Sequence, residues 1–308
     1  MTLKGRDFLS VDDLSPEELR HVLDVATDLK RRSKAGDRPP LLAGRVLAMI
    51  FEKPSLRTRV TFETGMWELG GHAIYLAPQD IQLGARESVP DVARNLERWV
   101  QGIMARTFAH RTVQLLAEYA HVPVINGLSD IEHPCQTLGD LLTIRERFGH
   151  LDGLRAAWVG DGNNVCHSLL LGAAKVGMHV AVATPPRYAP EPAIVARARE
   201  IASAAGGRIE VGTDARAAAR GADVIYTDVW VSMGQEAERD AKIKAFSDFQ
   251  VNAALVSQAA SRAVVLHCLP AHRGEEISDE VLDGPQSLVL DQAENRLHAQ
   301  KALLSLIL

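Results

Sequence analysis

The sequence predicts an α/β protein of two domains, each a parallel sheet flanked by helices, with the domains joined by long helices. Three observations carry this. Short apolar runs alternate with segments of helical spacing almost throughout. The rhythm pauses at a long helical stretch, CQTLGDLLTIRERFG over 135–149, and then restarts. The length, 308 residues, exceeds one ordinary core, so two domains are its natural reading.

The elements follow in order. Ser15-Pro16-Glu17-Glu18 starts a helix, with Ser15 as N-cap, Pro16 in the first position and Glu18 closing a capping box. LRHVLDVATDLKRRSK continues it at helical spacing. RVLAMIF, HAIYLA, GIMART and VPVING read as strands, with helices near 57–70, 89–100 and 111–121. After the 135–149 helix, LRAAWVGD, HVAVAT, RIEVG, DVIYTD, AVVLHC and SLVLDQ read as strands of a second domain from about residue 150. ENRLHAQKALLSLIL ends the chain as an amphipathic helix, and its spacing leaves open which domain it docks on.

Bulk composition narrows the function. Hydrophobic residues are 46% and charged residues 24% of the chain, as in a globular enzyme or binding protein. A net charge of −5 argues against nucleic acid as a partner, which usually leaves a basic footprint. Cys135, Cys166 and Cys268 are few, odd in number and scattered, which fits a reducing cytosol without a disulfide framework. The N-terminus has no apolar signal-like core, and no apolar run approaches the ~20 residues of a membrane helix. The expectation is a cytoplasmic protein without membrane contact.

One stretch poses a chemical question. In IFEKPSLRTRVTFETGMWELGG, residues 50–71, a buried strand runs into Pro54, Ser55, Arg57, Thr58 and Arg59, and a helix begins. A helix N-terminus presents backbone N–H groups and partial positive charge, a ready site for phosphate. Ser55 as N-cap leaves the next amides pointing outward. Arg57 and Arg59 face roughly opposite sides of such a helix, so one aims at an anion and the other serves structure. Arg57 with Thr58 is the favoured ligand pair. The plainer reading is a capped helix with two solvated arginines.

Other strand ends weigh against that plainer reading. GIMART ends in Arg106, and IEHPCQTLGD carries His133 and Gln136 on one helical face. Asp228, Ser232 and Met233 follow one strand; Cys268, Leu269 and Arg273 follow another. Ligands of open parallel sheets bind beyond the carboxyl ends of strands. Each residue alone has a bland reading, His133 as a structural histidine and Cys268 as a core thiol. GDGNNV after a strand looks like a dinucleotide loop, but Val165 holds the place of the third glycine, so a nicotinamide cofactor is disfavoured.

Taken together, FEKPSLRTRVTFE, MARTF, HPCQTLGDLLTI, GDGNN, DVWVSMGQE, HCLPAHRGEE and ENRLHAQKALL resemble the ornithine carbamoyltransferases, in order and spacing, from about residue 45 to the C-terminus. The resemblance implies transfer of the carbamoyl group of carbamoyl phosphate to the δ-amine of L-ornithine, giving citrulline and phosphate. It implies no metal and no organic cofactor. The implied organisation is a carbamoyl-phosphate domain over 1–136 plus 292–308, a linking helix over 137–149 and an ornithine domain over 150–291. The last helix would return to the first domain. It further implies a homotrimer, or an assembly of trimers, with active sites at subunit boundaries.

Carried over by motif, Ser55, Leu56, Arg57 and Thr58 would hold carbamoyl phosphate, with Arg106, His133, Gln136 and Arg296. Gln82, in APQDIQLGARES, would reach this site from a neighbouring subunit. Asn164, Asp228, Ser232 and Met233 would bind ornithine. Cys268 and Leu269 would close the site, with a cis Leu-Pro bond, and Arg106, His133, Asp228 and Cys268 would be catalytic. Leu56 departs from the commoner S-T-R-T-R pattern; a leucine keeps its backbone amide for phosphate but loses a hydroxyl. The alternative is a carbamoyltransferase for another amine, such as putrescine or N-acetylornithine, and SMG at 232–234 favours free ornithine over it. A non-catalytic two-domain sensor of an amino acid or anion would leave the phosphate residues without a task.

Overall fold

The computed structural model describes residues 3–308. By internal contacts the chain divides into two units, Met1–Leu142 with Asn295–Leu308, and Thr143–Glu294.

The first unit is built on a four-stranded parallel sheet of β1 (Val46–Phe51), β2 (His72–Leu76), β3 (Gly102–Arg106) and β4 (Val124–Leu128), in the order β2-β1-β3-β4. The run VLAMIF is apolar at every position because β1 is covered on both faces; Leu47 to Phe51 are all buried. Helices Leu56–Glu68, Val89–Leu96 and His110–Tyr119 supply the crossovers. Ile50 and Ile103 of the sheet pack with Val92, Val113 and Leu116 of these helices in one apolar cluster. Each such side chain stabilises the fold by ~1.5–3 kcal/mol on full burial. Helix Pro16–Lys34 starts with the expected capping box: Glu18 N donates to Ser15 Oγ at 3.2 Å, and Ser15 N donates to Glu18 Oε2 at 2.8 Å.

From Asn295 onward the terminal helix Val289–Ile307 belongs to this first unit. Ala299, Ala302, Leu303 and Leu304 are fully buried there. Lys30 Nζ donates to Asn295 Oδ1 at 2.7 Å, and Lys301 pairs with Glu68. The helix is thereby tied to both Pro16–Lys34 and Leu56–Glu68.

The second unit carries a five-stranded parallel sheet of β5 (Arg155–Val159), β6 (His179–Ala183), β7 (Arg208–Gly212), β8 (Val224–Thr227) and β9 (Val264–His267), ordered β7-β6-β5-β8-β9. Trp158 of β5 lies against Tyr226 of β8, ring centroids 5.0 Å apart. Helices Asn164–Lys175, Pro192–Ala205 and Arg239–Phe246 are among those flanking it.

One expected element is absent as a strand. SLVLDQ, 287–292, makes a single bridge, Ser287 to Val265, and then enters the terminal helix at Val289. Its three-residue apolar run is too short for periodicity to separate strand from helix. The burial pattern decides: Val289, Gln292, Arg296 and Ala299 are buried at spacings of three and four, while Leu290 is 75% exposed. Among the described residues, no helix is long and apolar enough to cross a membrane.

Candidate active site

In the first unit the chain leaves β1, turns through Pro54 and starts helix Leu56–Glu68. Ser55 is its N-cap, accepting the Thr58 N–H at 3.2 Å, as its sequence position predicts. Thr58 is fully buried, and its hydroxyl oxygen is a meeting point. Arg296 Nη2 donates to it at 2.9 Å and Arg106 Nη1 approaches it at 3.5 Å. Arg106 is the last residue of β3, beside β1 in the sheet. Arg296 arrives from the terminal helix, and Gly139 makes room for it: a Cβ at Gly139 would sit 3.1–3.4 Å from three atoms of Arg296.

The two arginines of the opening stretch divide as their spacing predicts. Arg59 pairs with Glu63 at 3.0 Å and lies 3.7 Å over the Tyr75 ring, so it serves structure. The charge of Arg57 bears on His133. Burial first, then Arg296, Arg106 and Arg57, hold the His133 imidazole well below its usual 6.5. His133 is therefore neutral at physiological pH. Arg106 and Arg296 thus meet at Thr58, in the first turn of a capped helix that follows the carboxyl end of β1.

Helix Pro134–Phe148 sets Gln136 near this cluster. Gln136 Nε2 donates to Asp140 Oδ1 at 2.8 Å. The carboxylate partner fixes which end of the amide is nitrogen. The buried Oε1 has no hydrogen-bond partner among the described residues, leaving it an acceptor for an N–H of a ligand. Neighbouring Cys135 is buried, which pushes its thiol up to about 12, so it is inert. Leu56 is 72% exposed, and Gln82 stands in a left-handed conformation (φ 44°) on an exposed turn.

The second unit gathers a different chemistry at the ends of adjacent strands β5 and β8, where its strand order reverses. Asp228 follows β8, and its two oxygens have different partners. Cys268 Sγ donates to Oδ1 at 2.9 Å, and Asn163 Nδ2 donates to Oδ2 at 2.8 Å. Asn163 also caps helix Asn164–Lys175, accepting from Val165 N and Cys166 N. Leu269, next to Cys268, has φ 57° and a cis bond to Pro270. Its N–H donates to His267 Nδ1 at 2.9 Å, so His267 carries its proton on Nε2, facing buried Glu276 at 2.9 Å. Ser232 and Met233 lie on the loop after Asp228, with Met233 45% exposed.

Two sequence readings change in content. The glycines of GDGNNV serve packing: a Cβ at Gly162 would sit 2.3 Å from Pro190 N. Arg273 makes surface ion pairs with Asp279 and Asp283, 2.7 Å each. Gly139 and Asn163 were missed. Asn163 was visible as an N-cap before an apolar helix; Gly139 depends on a helix arriving from 157 positions further along.

Two family models divide the chain. The aspartate/ornithine carbamoyltransferase carbamoyl-P binding domain matches residues 6–146, and the Asp/Orn binding domain of the same family matches 152–307. The ornithine carbamoyltransferase of Symbiobacterium thermophilum is 58% identical, covering 100% of this chain and 99% of its own. That of Pyrococcus horikoshii is 54% identical, covering 100% and 97%. Among solved structures, ornithine carbamoyltransferase from Pyrococcus furiosus superposes with a TM-score of 0.97 at 52% identity, covering 100% of this chain and 98% of that one. The Thermus thermophilus enzyme gives 0.88 at 49%, covering 97% of each. The chain belongs to the aspartate/ornithine carbamoyltransferase family.

Proposed function

We infer that this member of the family is an ornithine carbamoyltransferase, moving the carbamoyl group of carbamoyl phosphate to the δ-amine of L-ornithine to give citrulline and phosphate. The observation that carries the reading is the buried meeting of Arg106 and Arg296 on the Thr58 hydroxyl, in the first turn of a helix capped by Ser55. That chemistry suits a phosphate bearing a carbonyl. The domain roles follow: the unit with Arg57, Arg106 and Arg296 takes carbamoyl phosphate, and the unit with Asp228 takes ornithine.

In the first half, Ser55, Leu56, Arg57 and Thr58 cradle the phosphate through the helix start, with Arg106 and Arg296 anchored on the Thr58 hydroxyl. The unsatisfied Gln136 oxygen accepts from the carbamoyl NH2. Attack on the carbonyl builds negative charge on its oxygen, where Arg106, Thr58 and His133 are the donors. One such donor is typically worth roughly 3 kcal/mol of barrier. Neutral His133 donates a hydrogen bond without adding a fourth cation. Arg57 and the helix amides stabilise the departing phosphate.

In the second half the amine must lose a proton. Near a lysine-like 10.4, only about one molecule in a few thousand is neutral at pH 7. Asp228, which accepts from the Cys268 thiol at 2.9 Å, positions the ammonium and receives the proton it gives up. Asn164, Ser232 and Met233 fix the amino-acid end.

Assembly as a homotrimer is part of the proposal, with Gln82 offered to a neighbouring subunit from its exposed turn. Among the described residues, seven of the nine large exposed apolar side chains, Leu56, Val60, Trp67 and Trp99 among them, lie in the first unit, where such contacts would bury them. A cytoplasmic place in arginine metabolism, in synthesis or in the reverse direction of catabolism, completes it. The test is citrulline formation from carbamoyl phosphate with L-ornithine, beside putrescine, N-acetylornithine and aspartate, and sedimentation for the trimer. Turnover with another amine alone would discard the ornithine half and keep the phosphate half.

A further inference from the structure

Lys242, on helix Arg239–Phe246, is only 2% exposed. A buried ammonium is costly unless its hydrogen bonds are met. Lys242 Nζ meets two acceptors, Asp161 Oδ2 at 2.6 Å and Gln235 Oε1 at 2.7 Å. The two acceptors have different neighbours. Asp161 stands in the GDGNN turn after β5, two residues before the Asn163 that holds Asp228. Gln235 is exposed, on the loop after β8, and its Oε1 also accepts the Ser232 N–H at 3.4 Å. Lys242 thus joins the turn that supports Asp228 to the loop that carries Ser232 and Met233.

Neutralising Asp161 alone would not need the second bond. A lysine aimed at an exposed glutamine does something for the loop. We propose that Lys242 is a positioning residue for the amine substrate, fixing the backbone at Ser232 and Met233 through Gln235. This rests on the ornithine reading above. Ser232 and Met233 can hold the amino-acid end of a substrate only if their loop is held in place; a backbone bond from Gln235 N to Ser232 O at 3.0 Å closes the turn, and the Gln235 side chain, through Lys242, ties that turn to the buried Asp161.

Removing the lysine strands Asp161 in the interior and risks the fold. Gln235→Ala cuts only the loop end and leaves the buried pair intact. Steady-state kinetics should show a KM for ornithine raised about tenfold in Gln235→Ala, the size expected for one hydrogen bond to a charged group. The KM for carbamoyl phosphate should stay at its wild-type value. Lys242→Arg, which can span both acceptors, should keep an ornithine KM near wild type. An unchanged ornithine KM in Gln235→Ala, or an equal rise in both KM values, would overturn the proposal. Amide hydrogen exchange at residues 231–236 reads the same bond without turnover and should quicken in Gln235→Ala. Unchanged exchange sinks the positioning role even if citrulline is made. Absence of citrulline from the wild-type protein sinks the ornithine reading whatever the exchange shows.

Discussion

Arg296 donates to the Thr58 hydroxyl at 2.9 Å across 238 positions of sequence. The bond joins the terminal helix to the first turn of helix Leu56–Glu68, and Arg106 approaches the same oxygen. One hydroxyl therefore orients two guanidinium groups. Thr58→Val keeps the shape and removes the acceptor. The expected outcome is a folded protein whose kcat/KM for carbamoyl phosphate falls ten- to a hundredfold, about 1.4–3 kcal/mol. Wild-type kinetics in that variant would show that the arginines hold their positions without Thr58.

His133 gives stability a pH dependence with a definite sign. Burial and the three arginines depress its folded-state pKa well below 6.5, so the native protein keeps it neutral while the unfolded chain takes up a proton. Below pH 6.5 the unfolded state binds more protons, and stability is lost as pH falls; above it, this contribution is fully present. Its slope has a ceiling of about 1.4 kcal/mol per pH unit. His133→Gln should flatten the fall of stability from pH 6.5 downward in urea titrations. An unaltered slope would contradict a neutral, depressed His133.

Cys268 and Asp228 act as a pair if the thiol donates to the carboxylate as its 2.9 Å geometry indicates. Cys268→Ser keeps a donor, with a shorter bond and different acidity. Its kcat should drop at least tenfold with a displaced pH–rate profile, the scale of one acid–base contribution. Asp228→Asn leaves nothing to receive a proton, and its kcat should fall 10²–10⁴-fold. A Cys268→Ser enzyme with an unmoved profile removes the thiol from the proton path.

Most of the sheet framework was legible because parallel strands buried on both faces write themselves as apolar runs, as VLAMIF does. The N-caps at Ser15 and Ser55 were legible because capping chemistry is local. SLVLDQ was misread because its partner is a single bridge, and the burial that makes it helical comes from residues beyond it. In the site, helical geometry alone set Arg59 apart from Arg57, and Arg59 pairs with Glu63. The Thr58–Arg296 bond, Gly139 beneath Arg296 and the Lys242–Gln235 contact were not legible. Each joins segments that only the tertiary fold brings together.

The position of Arg296 depends in turn on Lys301 and Glu68. Lys301 is 2% exposed and pairs with Glu68, which also accepts from Ser33 at 3.0 Å and Arg38 at 3.3 Å. Burial raises the Glu68 carboxyl, but the bond and charge of Lys301, with Ser33 and Arg38, bring it below its usual 4.5. The pair's contribution is therefore present above pH 4.5 and lost as pH falls through the lowered value. Glu68→Ala leaves Lys301 buried without its carboxylate and should cost about 3 kcal/mol in denaturant melts at pH 7. Glu68→Met with Lys301→Met replaces the pair by apolar volume and should recover most of that loss, because desolvation offsets much of a buried ion pair's attraction. If the single variant unfolds the terminal helix locally, it raises the KM for carbamoyl phosphate through Arg296, and the double variant restores it. A single variant as stable as wild type would mean that the apolar seam at Ala299, Leu303 and Leu304 docks the helix by itself.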